Sequence, residues 1–265
     1  MIVYTFDRTM DGLLTAVFDA YSLRQRPDQL LGVGDVLPLF CEEVHQVVTD
    51  EAKAQRVWAG LEKRLSREAL HLLTVSHLSE VKELDTPLFH YIYKAFQQPL
   101  GGMSIERNFA DADILYVTNM ARRVLHEQLR MKQFIRFQKA KDGTYLGVVS
   151  PDHNVVPLVI GHFRDRFGDQ PWLIYDAKRR YGFFYDGQGG EPLRVTFEDE
   201  DHLTFDLDTG KLHEDVLSEN DQLFQELWRT YFKAICIRER INPRKQLNDM
   251  PRRYWKYMTE KQSGQ

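Results

Sequence analysis

Apolar and polar residues follow a mainly helical period through the first half of the chain. The opening IVYTF alternates as a β-strand does, and residues 13–21 then carry apolar side chains at helical spacing. Thr49 or Asp50 can cap one helix and Ser66 a second, because their side-chain oxygens accept hydrogen bonds from the unpaired amides of a first turn. These signals predict a mainly helical part at residues 50–130.

Other patterns in this half predict how the helices are connected. Residues 41–48 alternate like a strand, whereas residues 27–38, with two prolines and two glycines, predict an irregular connection. Thr86-Pro87 supplies a cap and a first-turn proline for LFHYIYKAFQQ, whose aromatic stripe is typical of a buried face. Residues 111–130 have the composition of a further long helix.

The period changes to two in the segment that follows. FIRFQKA, an Asp142-Gly143 turn and TYLGVVS together predict a β-hairpin, and residues 155–167 return to helical spacing. PWLIYDAKRRYGFFYDG predicts a second hairpin, and LRVTF a further strand. Hairpin-linked strands with a helix on one face favour an antiparallel sheet, so we predict an α+β fold built on a strand-strand-helix-strand-strand unit.

We predict a single α+β domain spanning residues 1–265. Its hairpin-rich sheet part covers residues 131–197, and an acidic connection covers residues 198–217. Basic C-terminal helices are predicted at residues 218–260, one from Ser218 to about Arg240 and another entered at Pro251.

Composition places the chain among ordinary globular proteins. Hydrophobic residues make up 43% and charged residues 28% of 265 residues. The N-terminus lacks a basic stretch followed by an apolar one, and no apolar run approaches the length of a membrane span. Cys41 and Cys236 are far apart and outside any CxxC motif, so we expect two buried thiols in a reducing compartment. We therefore expect a cytoplasmic protein without membrane contact.

Charge is strongly segregated near the C-terminus although the whole chain carries only −4. Residues 198–226 contain eleven acidic side chains against one basic residue, Lys211. Residues 229–261 contain ten basic side chains against Glu239, Asp249 and Glu260. The basic segment also carries aromatic residues, and cations that neutralise phosphates beside rings that stack on unpaired bases are typical of nucleic-acid binding.

Two readings of this basic segment stay open. It can bind nucleic acid, or its aromatic residues can pack into the core while the acidic stretch compensates its charge. The candidate nucleic-acid-binding residues of the segment are Arg244, Lys245, Arg252, Arg253, Trp255 and Lys256.

A second basic stripe is predicted on the long helix from residue 111. Arg122, His126 and Arg130 are spaced by four and share one face, with Arg123 beside them. Guanidinium groups offer paired donors that match phosphate geometry, although a solvated helix face has the same pattern.

The segment GHFRDRFGD contains the candidate acid-base residues. His162, Asp165 and Asp169 are close in sequence, and a histidine with an orienting carboxylate can perform general acid-base chemistry. Arg164 and Arg166 are candidate phosphate contacts in the same segment. In the alternative, His162 is structural and the carboxylates pair with the arginines. No sequence motif for a metal or for a nucleotide cofactor is present, so we predict neither.

Four long stretches together resemble a family of bacterial proteins described as DNA metabolism or DNA repair proteins of undefined activity. They are YTFDRTMDGLLTAVFDAY, RRVLHEQLRMKQFIRFQ, VVPLVIGHFRDRFGDQPWLIYDAKRRYGFFYDG and WRTYFKAICIRERINPRKQLNDMPRRYWKYM. The resemblance implies association with a radical-SAM protein of DNA modification or repair, and kinship with domains fused to uracil-DNA glycosylase-like domains. It transfers no catalytic residues.

Three hypotheses of function follow from these observations. The leading one is an accessory protein of DNA repair or modification that binds nucleic acid through basic residues. The second is a hydrolase or nuclease-like enzyme that uses His162 with Asp165 or Asp169. The third is an interaction module that docks the radical-SAM partner through the acidic stretch. The chain has no CxxxCxxC motif and ends just after YWKYM, so we expect radical-SAM chemistry and base excision to come from other polypeptides.

Overall fold

The computed structural model describes residues 1–99, 105–197, 204–218, 220, 221, 223, 227, 230, 243–258, 260 and 261. Contacts within the chain divide it into two compact units, residues 1–125 (unit 1) and residues 126–265 (unit 2). Both units combine helices with a β-sheet, which confirms the predicted α+β class. Within the described residues, no helix is both long enough and apolar enough to span a bilayer.

Unit 1 begins with a strand and is otherwise mainly helical. Its elements in chain order are β1 (Ile2–Phe6), α1 (Met10–Ser22), β2 (Gln29–Gly32), β3 (Glu43–Gln46), α2 (Glu51–Glu62), α3 (Arg67–His77), a 3-10 turn (Lys82–Leu84), α4 (Asp85–Gln97), a second 3-10 turn (Ile105–Arg107) and the first part of α5 (Ala112–Phe134).

Three helices of unit 1 begin at side-chain caps. The side-chain oxygens of Thr9, Asp50 and Ser66 each accept a hydrogen bond from the backbone N–H of the residue three positions later. The distances are 2.9, 3.0 and 3.1 Å. This confirms the predicted caps at Asp50 and Ser66. The prediction for Thr86-Pro87 was wrong by two residues, because α4 already begins at Asp85, directly after the 3-10 turn.

A parallel three-stranded sheet forms the centre of unit 1, with strand order β2-β1-β3. The predicted irregular connection at residues 27–38 was wrong over Gln29–Gly32, which pairs with β1. Leu30 is buried opposite Tyr4, and a four-residue strand between a proline and a glycine gives too few positions for an alternation to be visible. The predicted burial of Cys41 was also wrong, since this thiol is partly exposed.

Unit 2 contains a five-stranded sheet and the C-terminal segment. Its elements are the last part of α5, β4 (Gln138–Lys139), β5 (Tyr145–Val149), α6 (Val156–Arg166), β6 (Trp172–Asp176), β7 (Tyr181–Tyr185), β8 (Leu193–Val195), a short helix α7 (Pro243–Asp249) and a 3-10 segment (Arg252–Tyr257). The predicted acidic residues 198–203, most of the predicted helix from Ser218 to Arg240, and Cys236 lie outside the described residues.

The five-stranded sheet is mixed, with strand order β4-β5-β6-β7-β8. The predicted hairpins are confirmed for β4–β5 and β6–β7, but a purely antiparallel sheet is wrong because β5 and β6 run parallel. Helix α6 supplies the crossover connection that a parallel pair needs. The strand predicted for FIRFQKA is reduced to Gln138–Lys139, since α5 continues to Phe134.

Candidate functional site

A buried carboxylate, Glu127, joins three segments of unit 2. It lies on α5 with only 2% of its surface exposed. One oxygen, Oε1, accepts hydrogen bonds from the hydroxyl of Tyr254 at 2.6 Å, the guanidinium of Arg253 at 3.2 Å and the backbone N–H of Asp152 at 3.1 Å. The backbone N–H of His153 donates to Oε2 at 2.8 Å. Glu127 thus attaches the C-terminal 3-10 segment to α5 and to the loop before α6.

These donors stabilise the ionised form of Glu127. Burial alone raises the pKa of a carboxyl group, but the hydrogen bonds from Tyr254 and from the two backbone N–H groups outweigh burial here. The pKa of Glu127 therefore lies below its ordinary value. Burial, followed by the hydrogen bond to Glu127, raises the pKa of Tyr254, so this phenol stays protonated and donates.

Acid is expected to weaken unit 2 through Glu127. A carboxyl group with a lowered pKa in the folded state contributes stability that is complete above its unfolded pKa, about 4.3, and is lost as pH falls through the folded value. Urea unfolding of wild type and Glu127→Gln, followed at pH 6, 4 and 3, measures this. The wild-type protein should lose more unfolding free energy than the variant over that interval, and parallel losses would contradict the assignment.

Arg253 and two neighbouring tyrosines serve the fold of unit 2. Besides Glu127, the Arg253 side chain contacts Asp152 at 3.1 Å, so two carboxylates neutralise this predicted nucleic-acid contact. Tyr254 and Tyr257 are buried, and Tyr257 belongs to a core cluster with Val148 and Tyr175. For these aromatic residues the core-packing alternative holds.

Trp255 is half-buried and lies among cations. Its indole N–H donates to the carbonyl of Met250 at 3.0 Å, which fixes the ring. The Arg252 guanidinium lies 5.8 Å and the Lys261 ammonium 4.9 Å from the ring centroid. An aromatic ring held among cations is the arrangement that proteins use for unpaired bases and their phosphates.

Other predicted cations lie on the same segment or contact it. The Arg130 guanidinium of α5 donates to the carbonyl of Asn248, in α7, at 3.1 Å. We call this set the C-terminal basic surface: Arg130, Arg244, Lys245, Arg252, Trp255, Lys256 and Lys261.

The cations of this surface differ in how they are paired. Lys245 pairs with Asp249 at 3.2 Å, and the Lys256 ammonium lies 4.6 Å from the Tyr257 ring centroid. Arg244 and Arg252 are exposed, and no carboxylate in the described part of the chain pairs with either. Within the described residues, these two guanidinium groups differ in this respect from Lys245 and Arg253, which pair with carboxylates.

Of the basic stripe predicted on α5, Arg130 is partly buried, and the other three residues lie on exposed positions. Arg122 and Arg123 belong to unit 1 and are both exposed; His126, also exposed, belongs to unit 2. Arg122 contacts Asn119 at 3.4 Å and lines a cavity of about 580 Å³ in unit 1. Tyr91 and Glu106 line the same cavity.

The predicted acid-base residues lie in and just after α6. His162 packs edge-on against the ring of Phe163, with centroids 5.2 Å apart. Asp165 contacts Arg164 at 3.3 Å, and Arg164 also bonds Glu191. Among the described residues, no hydrogen bond links His162 to a carboxylate, so a histidine-aspartate pair is not assembled. Arg166 and Asp169 are exposed. The catalytic assignment stays a prediction.

Sequence reasoning missed a basic turn between β6 and β7. Arg179 donates to the buried Asp176 at 2.9 Å and to the carbonyl of Asp152 at 2.9 Å, and the Lys178 ammonium donates to the same carbonyl at 2.7 Å. Burial raises the pKa of Asp176. The next residue, Arg180, has a φ of 58°. The available signal was the run KRR inside a predicted hairpin turn.

Sequence reasoning also missed an ionic network in unit 1, at the point where β1 ends. Arg8 has a φ of 58°, and its guanidinium bonds Asp85 at 2.9 Å and also bonds Asp35. Lys82 adds a bond to Asp35 at 2.8 Å. The carboxyl edge of a parallel sheet is where open α/β sheets bind ligands. No local pattern could reveal the network, since Arg8 and Asp85 are 77 residues apart.

Comparisons with known proteins give a family but no function. No curated protein and no solved structure matches the chain. A family described as a domain of unknown function, DUF4130, matches residues 82–260, which include the Glu127 cluster and all of the C-terminal basic surface except Lys261. Because this match spans more than half of the sequence, the chain belongs to the DUF4130 family.

Proposed function

We propose that the chain is an accessory protein of DNA repair or modification, and that it binds nucleic acid through the C-terminal basic surface. The observation that carries the proposal is Trp255, held by Met250 with Arg252 and Lys261 near its ring. Stacking on an aromatic ring favours unpaired bases, while neighbouring cations neutralise phosphates. The role in DNA metabolism rests on the resemblance of the four long stretches.

The contacts that attach this surface to α5 support the proposal. Glu127 fixes the 3-10 segment through Arg253 and Tyr254, and Arg130 fixes the end of α7. Binding therefore needs little ordering of this segment, which lowers the entropic cost of association. Arg253 and Lys245, already paired with carboxylates, are expected to contribute less than Arg244 and Arg252.

The resemblance also provides a proposal about partners. A radical-SAM protein would supply the chemistry, and a uracil-DNA glycosylase-like protein would act on the same DNA. Our chain would hold the nucleic acid for them. Co-purification from cells that contain the partners tests this part separately from DNA binding.

Removing the charges of Arg244 and Arg252, which pair with no carboxylate of the described residues, should weaken DNA binding. Fluorescence anisotropy with single-stranded, duplex and uracil-containing DNA, over a salt series, compares wild type with Arg244→Gln/Arg252→Gln. Each lost phosphate contact lowers the slope of log affinity against log salt by about 0.7 for single strands and about 0.9 for duplex. We therefore expect a weaker, less salt-dependent interaction.

The control changes the same charge elsewhere. Lys63→Gln/Arg67→Gln removes two exposed cations of unit 1 and should leave affinity almost unchanged. Trp255→Leu should weaken single-strand binding more than duplex binding, because only unpaired bases can stack on the ring. Equal losses in the test and control pairs, or no binding at low salt, would refute the proposal.

A further inference from the structure

A small aromatic pocket opens in unit 2 where β5 and β6 begin and α6 ends. Its volume is about 190 Å³. Sites for drug-sized ligands usually measure about 300–1,000 Å³, so this pocket suits a single ring system. The lining residues are Phe137, Tyr145, Phe167, Gln170 and Trp172.

The fold holds these rings in place. Tyr145 and Trp172 are register partners in the parallel pair β5–β6, so their side chains lie side by side. Phe137 packs edge-on against Phe167, with centroids 5.7 Å apart and planes at 72°. Phe137 can approach the sheet because position 147 is glycine; a Cβ there would lie 3.2 Å from the Phe137 ring. The pocket is thus preformed.

Its lining combines apolar faces with a few hydrogen-bonding groups. Phe137, Tyr145 and Phe167 are half-buried, which leaves part of each ring open to a ligand. The amide of Gln170 can both donate and accept, as the edge of a nucleobase requires. The indole N–H of Trp172 is buried and has no acceptor among the described residues, an arrangement that is rare in folded proteins.

Charge at the pocket decides between two possible occupants. Aromatic boxes commonly bind organic cations. Here the Lys139 ammonium lies 5.4 Å from the Tyr145 ring centroid, and the Arg166 guanidinium lies 5.6 Å from that of Phe167. Both cations are exposed, and they repel a cationic ligand while attracting an anionic substituent. The favoured occupant is a flat ring that carries a phosphate.

We propose that this pocket holds one unstacked nucleobase, with its phosphates on Lys139 and Arg166. The inference rests on the proposed function, because the nucleic acid bound at the C-terminal basic surface is the strand from which the base comes. Extruding or capturing a single base between aromatic side chains is how proteins read bases that are outside a duplex. The pocket would give unit 2 a base contact in addition to the C-terminal basic surface.

The indole signal of Trp172 reports on occupancy. In a two-dimensional ¹H–¹⁵N spectrum, the Trp172 signal is assigned by its absence in Trp172→Phe. We titrate the four nucleoside 5′-monophosphates, thymidine without phosphate, a five-nucleotide oligothymidylate and tetramethylammonium. The signal should shift with the nucleotides and the oligonucleotide, and not with tetramethylammonium.

Two variants separate the ring contact from the charge contact. Phe167→Ala should weaken both thymidine and its monophosphate by about fivefold to a hundredfold, the range expected for losing one stacked base. Arg166→Gln alters an exposed side chain and should weaken only the monophosphate. Phe40→Ala, at a ring 87% exposed in unit 1, is the matched control and should change neither.

The results distinguish this inference from the proposed function. DNA binding in the anisotropy experiment with no shift of the Trp172 signal would overturn the pocket and leave the proposed function standing. A shift with tetramethylammonium, strengthened in Arg166→Gln, would overturn it in favour of a cation site. Binding of mononucleotides without any binding of DNA would overturn the inference that the base comes from a nucleic-acid strand. Shifts with the oligonucleotide that survive Arg244→Gln/Arg252→Gln but not Phe167→Ala would establish it.

Discussion

Glu127→Ala is expected to lower the free energy of unfolding of unit 2 by about 3–5 kcal/mol, the range for removing one partner of a buried ion pair. The substitution leaves the Tyr254 hydroxyl and the backbone N–H groups of Asp152 and His153 without their acceptor. Buried donors without an acceptor add a desolvation cost. Urea unfolding followed by tryptophan fluorescence measures the change.

A matched acidic residue of the same unit provides the control. Glu191 bonds Arg164, but its side chain is 82% exposed, so Glu191→Ala should cost at most about 1 kcal/mol. DNA binding should also fall in Glu127→Ala, because the 3-10 segment loses its attachment to α5. Equal stability of the two variants would mean that Glu127 does not hold the segment.

Arg8→Ala should destabilise unit 1 by about 2–4 kcal/mol, near the lower part of the range for a buried pair because Arg8 is partly exposed. The loss comes mainly from Asp85, a carboxylate whose pKa burial already raises and whose bond to Arg8 opposes that rise. Without the guanidinium, Asp85 must stay charged in a poor environment or bind a proton. Thermal unfolding by circular dichroism gives the change.

Two further variants separate the ionic contact from the backbone conformation. Arg8→Gly should be about 1 kcal/mol more stable than Arg8→Ala, since glycine adopts a φ of 58° without steric cost. Arg24 has a similar φ of 52° and an exposed side chain, so Arg24→Ala should change stability by less than about 0.5 kcal/mol. If Arg24→Ala lowered the free energy of unfolding as much as Arg8→Ala does, the ionic network around Arg8 would not be the cause of the loss.

Local signals predicted much of the secondary structure, because the caps and turns that specify it are local. Asp50 and Ser66 begin helices as their side-chain chemistry requires, and the Asp142-Gly143 turn joins β4 to β5. Strand pairing is a long-range property. The parallel pair β5–β6 and the strand β2 depend on partners that hydrophobic periodicity does not identify.

The sequence could predict which residue types make up the candidate site, but not which cations pair with carboxylates. The sequence indicated a basic, aromatic C-terminal segment, and the structure places Trp255 among cations there. Which cation meets a carboxylate could not be predicted, since Arg253 pairs with Glu127, 126 residues earlier. The aromatic pocket was hidden for the same reason, because its walls come from five separate positions along the chain.

The arrangement around Glu127 has a consequence for synthesis on the ribosome. Its phenol partner is Tyr254, 127 residues downstream, while its backbone donors lie only 25 and 26 residues downstream. In a nascent chain, α5 and the loop before α6 therefore leave the ribosome long before the 3-10 segment that carries Tyr254. Until then the carboxylate lacks its two side-chain partners, so products of premature termination should be preferred substrates of cellular proteases.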